Sequence, residues 1–268
     1  MKKHKIVLSF ILIISGLVWI YSCTGKQTIE LKVMSYNICH GLGLDSVLDL
    51  SRAANIIKTQ APDLCGLQEV DDSCSRSFNI KQTEYLAKLT SMNGTFGKFM
   101  NFQNGEYGMA TLIRKPIIST KILELPDAIL EPRVSIINQV QLSETCTIAF
   151  ANIHLDWAEN KKGSANRLNQ AKVLVKYLDS LNLATIIIGD FNCSPNAPTM
   201  QYFIKYGFVF IKKGEDNLSY QGDPKLEIDY IIYKDKGSIK FKKKSIQLLK
   251  APNISDHRPL VAEIEVSF

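Results

Sequence analysis

A cysteine set that could pair completely is what this 268-residue chain lacks. One of its six cysteines, Cys23, lies at the end of an apolar N-terminal segment, which leaves Cys39, Cys65, Cys74, Cys146 and Cys193. An odd number cannot pair completely, and no Cys-x-x-Cys spacing suggests a zinc site. Cys65 and Cys146 sit inside apolar runs and read as small hydrophobes. Cys39 and Cys193 each lie beside a polar motif, where packing next to a site is the expected role. Histidine is scarce as well, with four copies in all. The chain shows no internal repeat, no low-complexity tract and no Pro/Gly/Ser-rich linker, so nothing divides it into modules. With 46% hydrophobic residues it can bury one sizeable core, and a single domain is expected.

A strong charge imbalance is missing too. The formal net charge is +6, and half of it disappears when Lys2, Lys3 and Lys5 are set aside. A mildly positive domain admits an anionic substrate without demanding nucleic acid. The three lysines form a basic start to an almost wholly apolar stretch, Ile6 to Ile20. That stretch falls short of the roughly 20 residues of a membrane span. Ile20-Tyr21-Ser22-Cys23 resembles a bacterial lipobox, although Tyr21 stands where a small residue is usual. The expectation is a signal segment over residues 1–23, lipidation at Cys23, a tether over 24–28 and a folded domain over 29–268. An uncleaved anchor helix is the alternative. Either way the domain is expected outside the cytoplasm, held to a membrane of the bacterial cell envelope.

Ile29 to Asn37 alternates apolar and polar residues, as a half-buried strand does. Helical spacing follows over Val47–Thr59, with Asp45 or Ser46 as candidate cap. It returns over Ile80–Met92, which Asn93-Gly94 is expected to end. Asp63–Gln68 between them is a short apolar strand, and strand patterns recur over 95–102, 107–114, 117–125, 134–142 and 145–153. The longest helical pattern, Ser164–Leu181, precedes a compact strand, Ala184–Ile188, and a short helix over 199–206. Strands over 228–233, 239–249 and 260–266 complete the series. About ten strands, with helices mostly following strands, indicate two sheets packed face to face with helices outside.

Five polar motifs sit at the ends of these apolar runs. They are Ser35-Tyr36-Asn37-Ile38, Leu67-Gln68-Glu69-Val70, Asn152-Ile153-His154-Leu155-Asp156, Gly189-Asp190-Phe191-Asn192 and Ser255-Asp256-His257-Arg258-Pro259-Leu260. Polar groups beside Val/Ile/Leu-rich sequence are costly to bury unless paired or metal-bound. Five such placements point to one shared site at a sheet rim. The donors are oxygen-rich and free of sulfur, which suits Mg²⁺ and a phosphate ester.

In this order the motifs resemble the endonuclease/exonuclease/phosphatase superfamily, whose members include deoxyribonuclease I, abasic-site endonucleases, inositol polyphosphate 5-phosphatases and neutral sphingomyelinases. The resemblance spans approximately Ile29 to Val266. It implies a deoxyribonuclease I-like fold, a four-layer α/β/β/α sandwich with two mixed sheets and the site at one end. It also implies Glu69 as the principal carboxylate for Mg²⁺ (Mn²⁺ being the alternative), with Asn37 and Asp256 beside it. Asp190 and Asn192 match the pair that orients and deprotonates the attacking water; their i, i+2 spacing on an extended segment is expected to aim both to one face. An Asx turn is the alternative for either residue alone. His154 and His257 match phosphate-contacting histidines, and Asp229 matches the carboxylate that holds His257. Tyr107, Arg133 and Arg167 match substrate-side positions, with Arg76 a further candidate, and for each a solvated surface role competes.

The seven lysines from Lys234 to Lys250 read first as protection of an edge strand and second as a polyanion or membrane patch. Trp157 is either a stacking surface for substrate or loop packing. The implied function is metal-dependent hydrolysis of a phosphate ester, diester or monoester, on a sugar phosphate, inositol phosphate or phospholipid headgroup, by direct attack of water. An extracytoplasmic nuclease is the alternative, not favoured because the basic surface is narrow and no long insertion is present. A catalytically silent binding protein is the rival of another class. A monomer is expected.

Overall fold

The computed structural model describes residues 26–126 and 131–268. The signal segment and Cys23 lie outside the described residues. Among the described residues, twelve strands form two six-stranded sheets. The first sheet, in spatial order, is β11 (Lys240–Leu248), β12 (Leu260–Ser267), β1 (Thr28–Asn37), β2 (Leu64–Asp72), β4 (Gly105–Ile113) and β3 (Asn93–Phe102). The second is β5 (Ile117–Leu125), β6 (Arg133–Ser143), β7 (Cys146–His154), β8 (Ala184–Asp190), β10 (Asp229–Lys234) and the two-residue β9 (Val209–Phe210). Each sheet is antiparallel except for one central parallel pair, β1 with β2 and β7 with β8. A parallel pair needs a crossover. Helix α1 (Leu50–Gln60) lies within the first and α3 (Lys161–Leu181) within the second.

The sheets meet through an apolar core in which Leu31, Val33 and Leu64 of one face Ile148, Phe150, Ile186 and Ile188 of the other. The alternate residues point outwards. Met34, Tyr36, Cys65 and Leu67 pack under α1 and α2 (Gln82–Thr90), while Ala149, Ala151 and Ile187 pack under α3 and α4 (Pro198–Lys205). The architecture is the expected α/β/β/α sandwich.

Period-two alternation also decides where the functional side chains go. Asn37, His154, Asp190 and Asp229 continue the inward-facing series of their strands, so each leaves the core at the same open end of the sandwich. Glu69 does not share that parity. The register of β2 against β4 shifts between Gln68 and Val70, and Glu69 holds left-handed backbone, φ 57°. Val70 thereby returns to the outward face, and the bulge turns the carboxylate of Glu69 to the rim, a frequent use of bulges beside active sites.

Below the rim the inter-sheet core is polar. Asn152 Nδ2 donates to the carbonyls of Leu67 at 3.0 Å and Ala110 at 2.8 Å, and its Oδ1 accepts from Gln68 Nε2 at 2.6 Å. Gly66 makes room for this amide, since a Cβ there would lie 2.6 Å from Asn152. Asn152→Leu removes three hydrogen bonds among buried groups. It is expected to lower unfolding stability by about 2–4 kcal/mol, measurable by urea denaturation.

Several boundaries differ from the sequence expectation. Helix α1 starts at Leu50, capped by Asp49, whose side chain accepts from Ser51 N at 2.9 Å; Asp45 instead closes a turn onto Val47 N at 3.2 Å. Helix α2 ends through Ser91 in left-handed backbone, and Asn93-Gly94 opens β3 instead of ending the helix. The long helix begins at Lys161, a turn earlier than its apolar stripe, because Asn160 caps it. β9 pairs only with β10 and was too short for any periodicity to announce.

Candidate active site

The polar ends of the strands surround one open cavity of about 380 Å³. Asn37 is fully buried, and its Nδ2 donates to Glu69 Oε1 at 2.9 Å and to Asp190 Oδ2 at 3.3 Å. One amide thus holds together carboxylates contributed by the two sheets. Burial lifts Glu69 above the usual carboxylate range, against the Asn37 hydrogen bond, and the charge of Asp256 pushes the same way. Burial likewise raises Asp190, reinforced by the charge of Asp229 and opposed by that of His257. Such groups accept protons or cations readily.

His257 and Asp229 form a tight pair, Nδ1 to Oδ2 at 2.8 Å. Burial disfavours the charged ring, but Asp229, through its charge and its hydrogen bond, outweighs it together with Asp190 and Asp256, and His257 is raised to about 10. It is therefore an imidazolium at neutral pH. Its Nε2 stands 3.7 Å from Asp190 Oδ2, and His154 Nε2 stands 3.6 Å from the same oxygen. His154 has the opposite state: burial, then the charges of Arg133 and His257, hold it well below the ordinary value, so it is neutral. The site has one charged and one neutral ring.

Asp190 and Asn192 are both at the cavity, but not through an extended segment. β8 ends at Asp190, and Asn192 has φ 51°. Asp190 Oδ1 accepts from Asn192 N at 2.9 Å, an Asx turn, and Asn192 Nδ2 donates to the Leu155 carbonyl at 3.0 Å. The turn, not strand alternation, brings the two side chains together.

The last motif is held by its flanking residues. Ser255 Oγ donates to the Asn37 carbonyl at 2.7 Å and accepts from His257 N at 3.0 Å. Arg258 makes a fork to Asp216 at 2.6 and 2.7 Å and donates to the Leu248 carbonyl at 2.8 Å. Arg258 is a brace for the loop that presents Asp256 and His257.

On the substrate side, Tyr107, Arg133, Arg76 and Trp157 line the cavity. Arg133 is 2% exposed; its Nε has no hydrogen-bond partner among the described residues, its Nη1 lies 3.0 Å from Glu131 Oε2, and its guanidinium covers the Phe99 ring at 4.9 Å. Arg76 forks onto Asp71 at 2.8 and 2.9 Å. Arg167 is not brought to the cavity wall. Its Nη1 is spent on the carbonyls of Asp156 and Ala158, both at 2.8 Å, where it braces the loop after β7. Sequence reasoning missed Tyr220, which tilts over His257 at a ring distance of 5.1 Å, and Glu131 and Glu159 at the cavity wall. None of these belongs to a motif at a strand end, and only their aromatic or acidic character could have drawn notice.

Asp190, Asp229 and His257 place one ligand atom each within 4.8 Å of one another, a buried acidic/His cluster capable of coordinating a divalent metal ion. His257 Nδ1 and Asp229 are already bonded to each other, whereas Glu69 and Asp256 face the cavity as further oxygen donors. The donor set fits a hard divalent cation.

Carboxylates, a divalent-ion donor set and two histidines at one end of paired sheets are the apparatus of metal-dependent hydrolases. The chain belongs to the endonuclease/exonuclease/phosphatase family, whose sequence profile matches residues 34–257. Its fold is similar to that of an endonuclease/exonuclease/phosphatase from Beutenbergia cavernae DSM 12333 (TM-score 0.75, 17% identity, covering 88% of this chain and 71% of that one). It is also similar to a family protein from Bacteroides thetaiotaomicron (TM-score 0.71, 21% identity, 89% and 96% covered) and to the human Nocturnin catalytic domain (TM-score 0.70, 20% identity, 89% and 97% covered). At these identities the likeness is one of fold. Comparison with the curated proteins finds no match.

Proposed function

We propose that the protein is a Mg²⁺-dependent phosphoesterase that hydrolyses small phosphate esters outside the cytoplasm, tethered through Cys23. The observation that carries this reading is the approach of both histidines to within 3.7 Å of one carboxylate oxygen, on a carboxylate that Asn37 ties to Glu69. Asn37, Glu69 and Asp256 would hold the cation, and when bound it supplies a Lewis acid that polarises the phosphoryl group. Asp190, raised by burial, takes the proton of the attacking water. His257, kept charged by Asp229, donates to a phosphoryl oxygen as negative charge grows there. His154 is neutral and presents a ring N–H without adding a competing charge. Asn192 lines the wall beside Asp190, and Arg133 and Tyr107 face the ester.

Small esters are favoured over polynucleotides by the shape and charge of the surroundings. Glu131 and Glu159 line the cavity and oppose a long polyanion. The lysines of β11 lie on an edge strand and line no part of it, in keeping with edge protection. The tether is read from the Ile20-Tyr21-Ser22-Cys23 motif alone; no helix among the described residues is long and apolar enough to cross a membrane.

A release assay with a chromogenic phosphodiester, a chromogenic monoester and plasmid DNA, run with and without chelator, tests the reading. Turnover of a small ester is expected, abolished by chelator and restored by Mg²⁺. Chelator-resistant turnover would remove the metal from the mechanism. Plasmid nicking that outpaces both esters would establish the nuclease, and no turnover of any substrate would leave the silent binding protein.

A further inference from the structure

Where the chain leaves β1 there is a donor set of a different chemical kind. Cys39 Sγ, one ring nitrogen of His40 and one carboxylate oxygen of Glu69 all lie within 4.8 Å of one another, each on a half-buried residue. The turn carrying the first two is fixed from both sides. Asn37 Oδ1 accepts from Cys39 N at 3.1 Å, and Gln82 Nε2 donates to the His40 carbonyl at 2.7 Å. Cys39 and His40 both hold left-handed backbone, φ 44° and 45°. His40 Nδ1 is buried and has no hydrogen-bond partner among the described residues.

Mg²⁺ has no use for a thiol: it takes oxygen ligands and keeps its own waters. Zn²⁺ is the reverse case, tetrahedral and content with sulfur, imidazole and a single carboxylate. Three such ligands leave a fourth position for water or a phosphate oxygen.

We propose that Cys39, His40 and Glu69 form a zinc site that borrows the carboxylate of the magnesium site, making zinc an inhibitor competitive with magnesium. On binding, the Cys39 S–H bond breaks, an S–Zn bond forms and the proton passes to water. The competition rests on the phosphoesterase reading given above; the zinc site itself does not. Sulfur and nitrogen hold zinc beside the rim while Glu69 is drawn from its catalytic partner. Zinc thereby sets the fraction of enzyme able to take up magnesium.

Titration of the purified chain with Co²⁺, followed by displacement with Zn²⁺, tests the site without any turnover. The wild type is expected to show sulfur-to-cobalt charge-transfer absorption that Zn²⁺ removes at one equivalent. Cys39→Ser is expected to lack this band. Cys39→Ser and His40→Ala should each weaken Zn²⁺ by at least the roughly 10–100-fold that a change outside the ligand shell costs. In the ester assay, Zn²⁺ should inhibit the wild type, excess Mg²⁺ should relieve it, and both variants should retain basal turnover while resisting zinc. No sulfur band in the wild type would overturn the site, and so would unchanged zinc affinity in both variants. Inhibition equal in wild type and variants would overturn the competition. If no ester is hydrolysed, the cobalt spectrum and zinc titration still decide the site, and a wild-type spectrum needs no variant to fold.

Discussion

Glu69→Gln is expected to lower kcat/KM for the best small ester by about a thousandfold or more, several kcal/mol of transition-state stabilisation. Size and hydrogen bonding at the position survive, since the amide still meets Asn37 Nδ2 through its carbonyl. What goes is the negative charge at a bulge that exists to present it. Removing a carboxylate that burial makes uncomfortable is not expected to destabilise the fold. A thermal transition at or above that of the wild type, together with the loss of turnover, is the expected pattern. Turnover within tenfold of wild type would falsify the assignment of Glu69 to the cation.

Asp229→Asn is expected to act on the pH profile as well as on the rate. In the wild type, His257 stays charged until pH passes through about 10, because Asp229 sits 2.8 Å from its Nδ1. The folded-state value is raised, so the charged ring is present at lower pH and is lost as pH rises through that value. Activity that depends on the imidazolium should therefore fall on the alkaline side near pH 10. Without the Asp229 charge the burial cost dominates, and the alkaline limb should move down toward the ordinary histidine range, near about 6.5. The rate at pH 7 should drop by about 10²–10³-fold, and His257→Ala should lose at least as much with no alkaline limb left to shift. A profile unchanged in shape would deprive Asp229 of its proposed role as the positioning residue for His257.

Most of the architecture was legible because it rests on alternation and helical spacing, and both survive in a single sequence. The common rim followed from where the motifs ended; the parallel pairs did not, because strand direction is set by pairing that periodicity does not record. Boundaries set by one hydrogen bond were not legible: helical spacing offered Asp45 or Ser46 as the cap, whereas it is Asp49 that accepts from Ser51 N after the turn from Leu42 to Leu48. The bulge at Glu69 was equally silent, since Gln68-Glu69-Val70 reads as an uninterrupted strand end. The left-handed turn at Asn192 was misread as extension for the same reason. Tyr220, Glu131 and Glu159 come from loops, where no periodicity constrains the residue. Arg167 carried a basic charge near the His154 motif, yet its charge serves two carbonyls of the chain.

The strand that opens the domain and the one that closes it are neighbours, Thr28–Asn37 pairing along Leu260–Ser267. Ser255 reaches from that late segment to the carbonyl of Asn37. A chain delivered N-terminus first therefore cannot complete its polar rim until Ser255, Asp256 and His257 have been added. A form truncated ahead of Ser255 would keep both sheets' central strands yet lack Asp256 and His257 at the cavity wall.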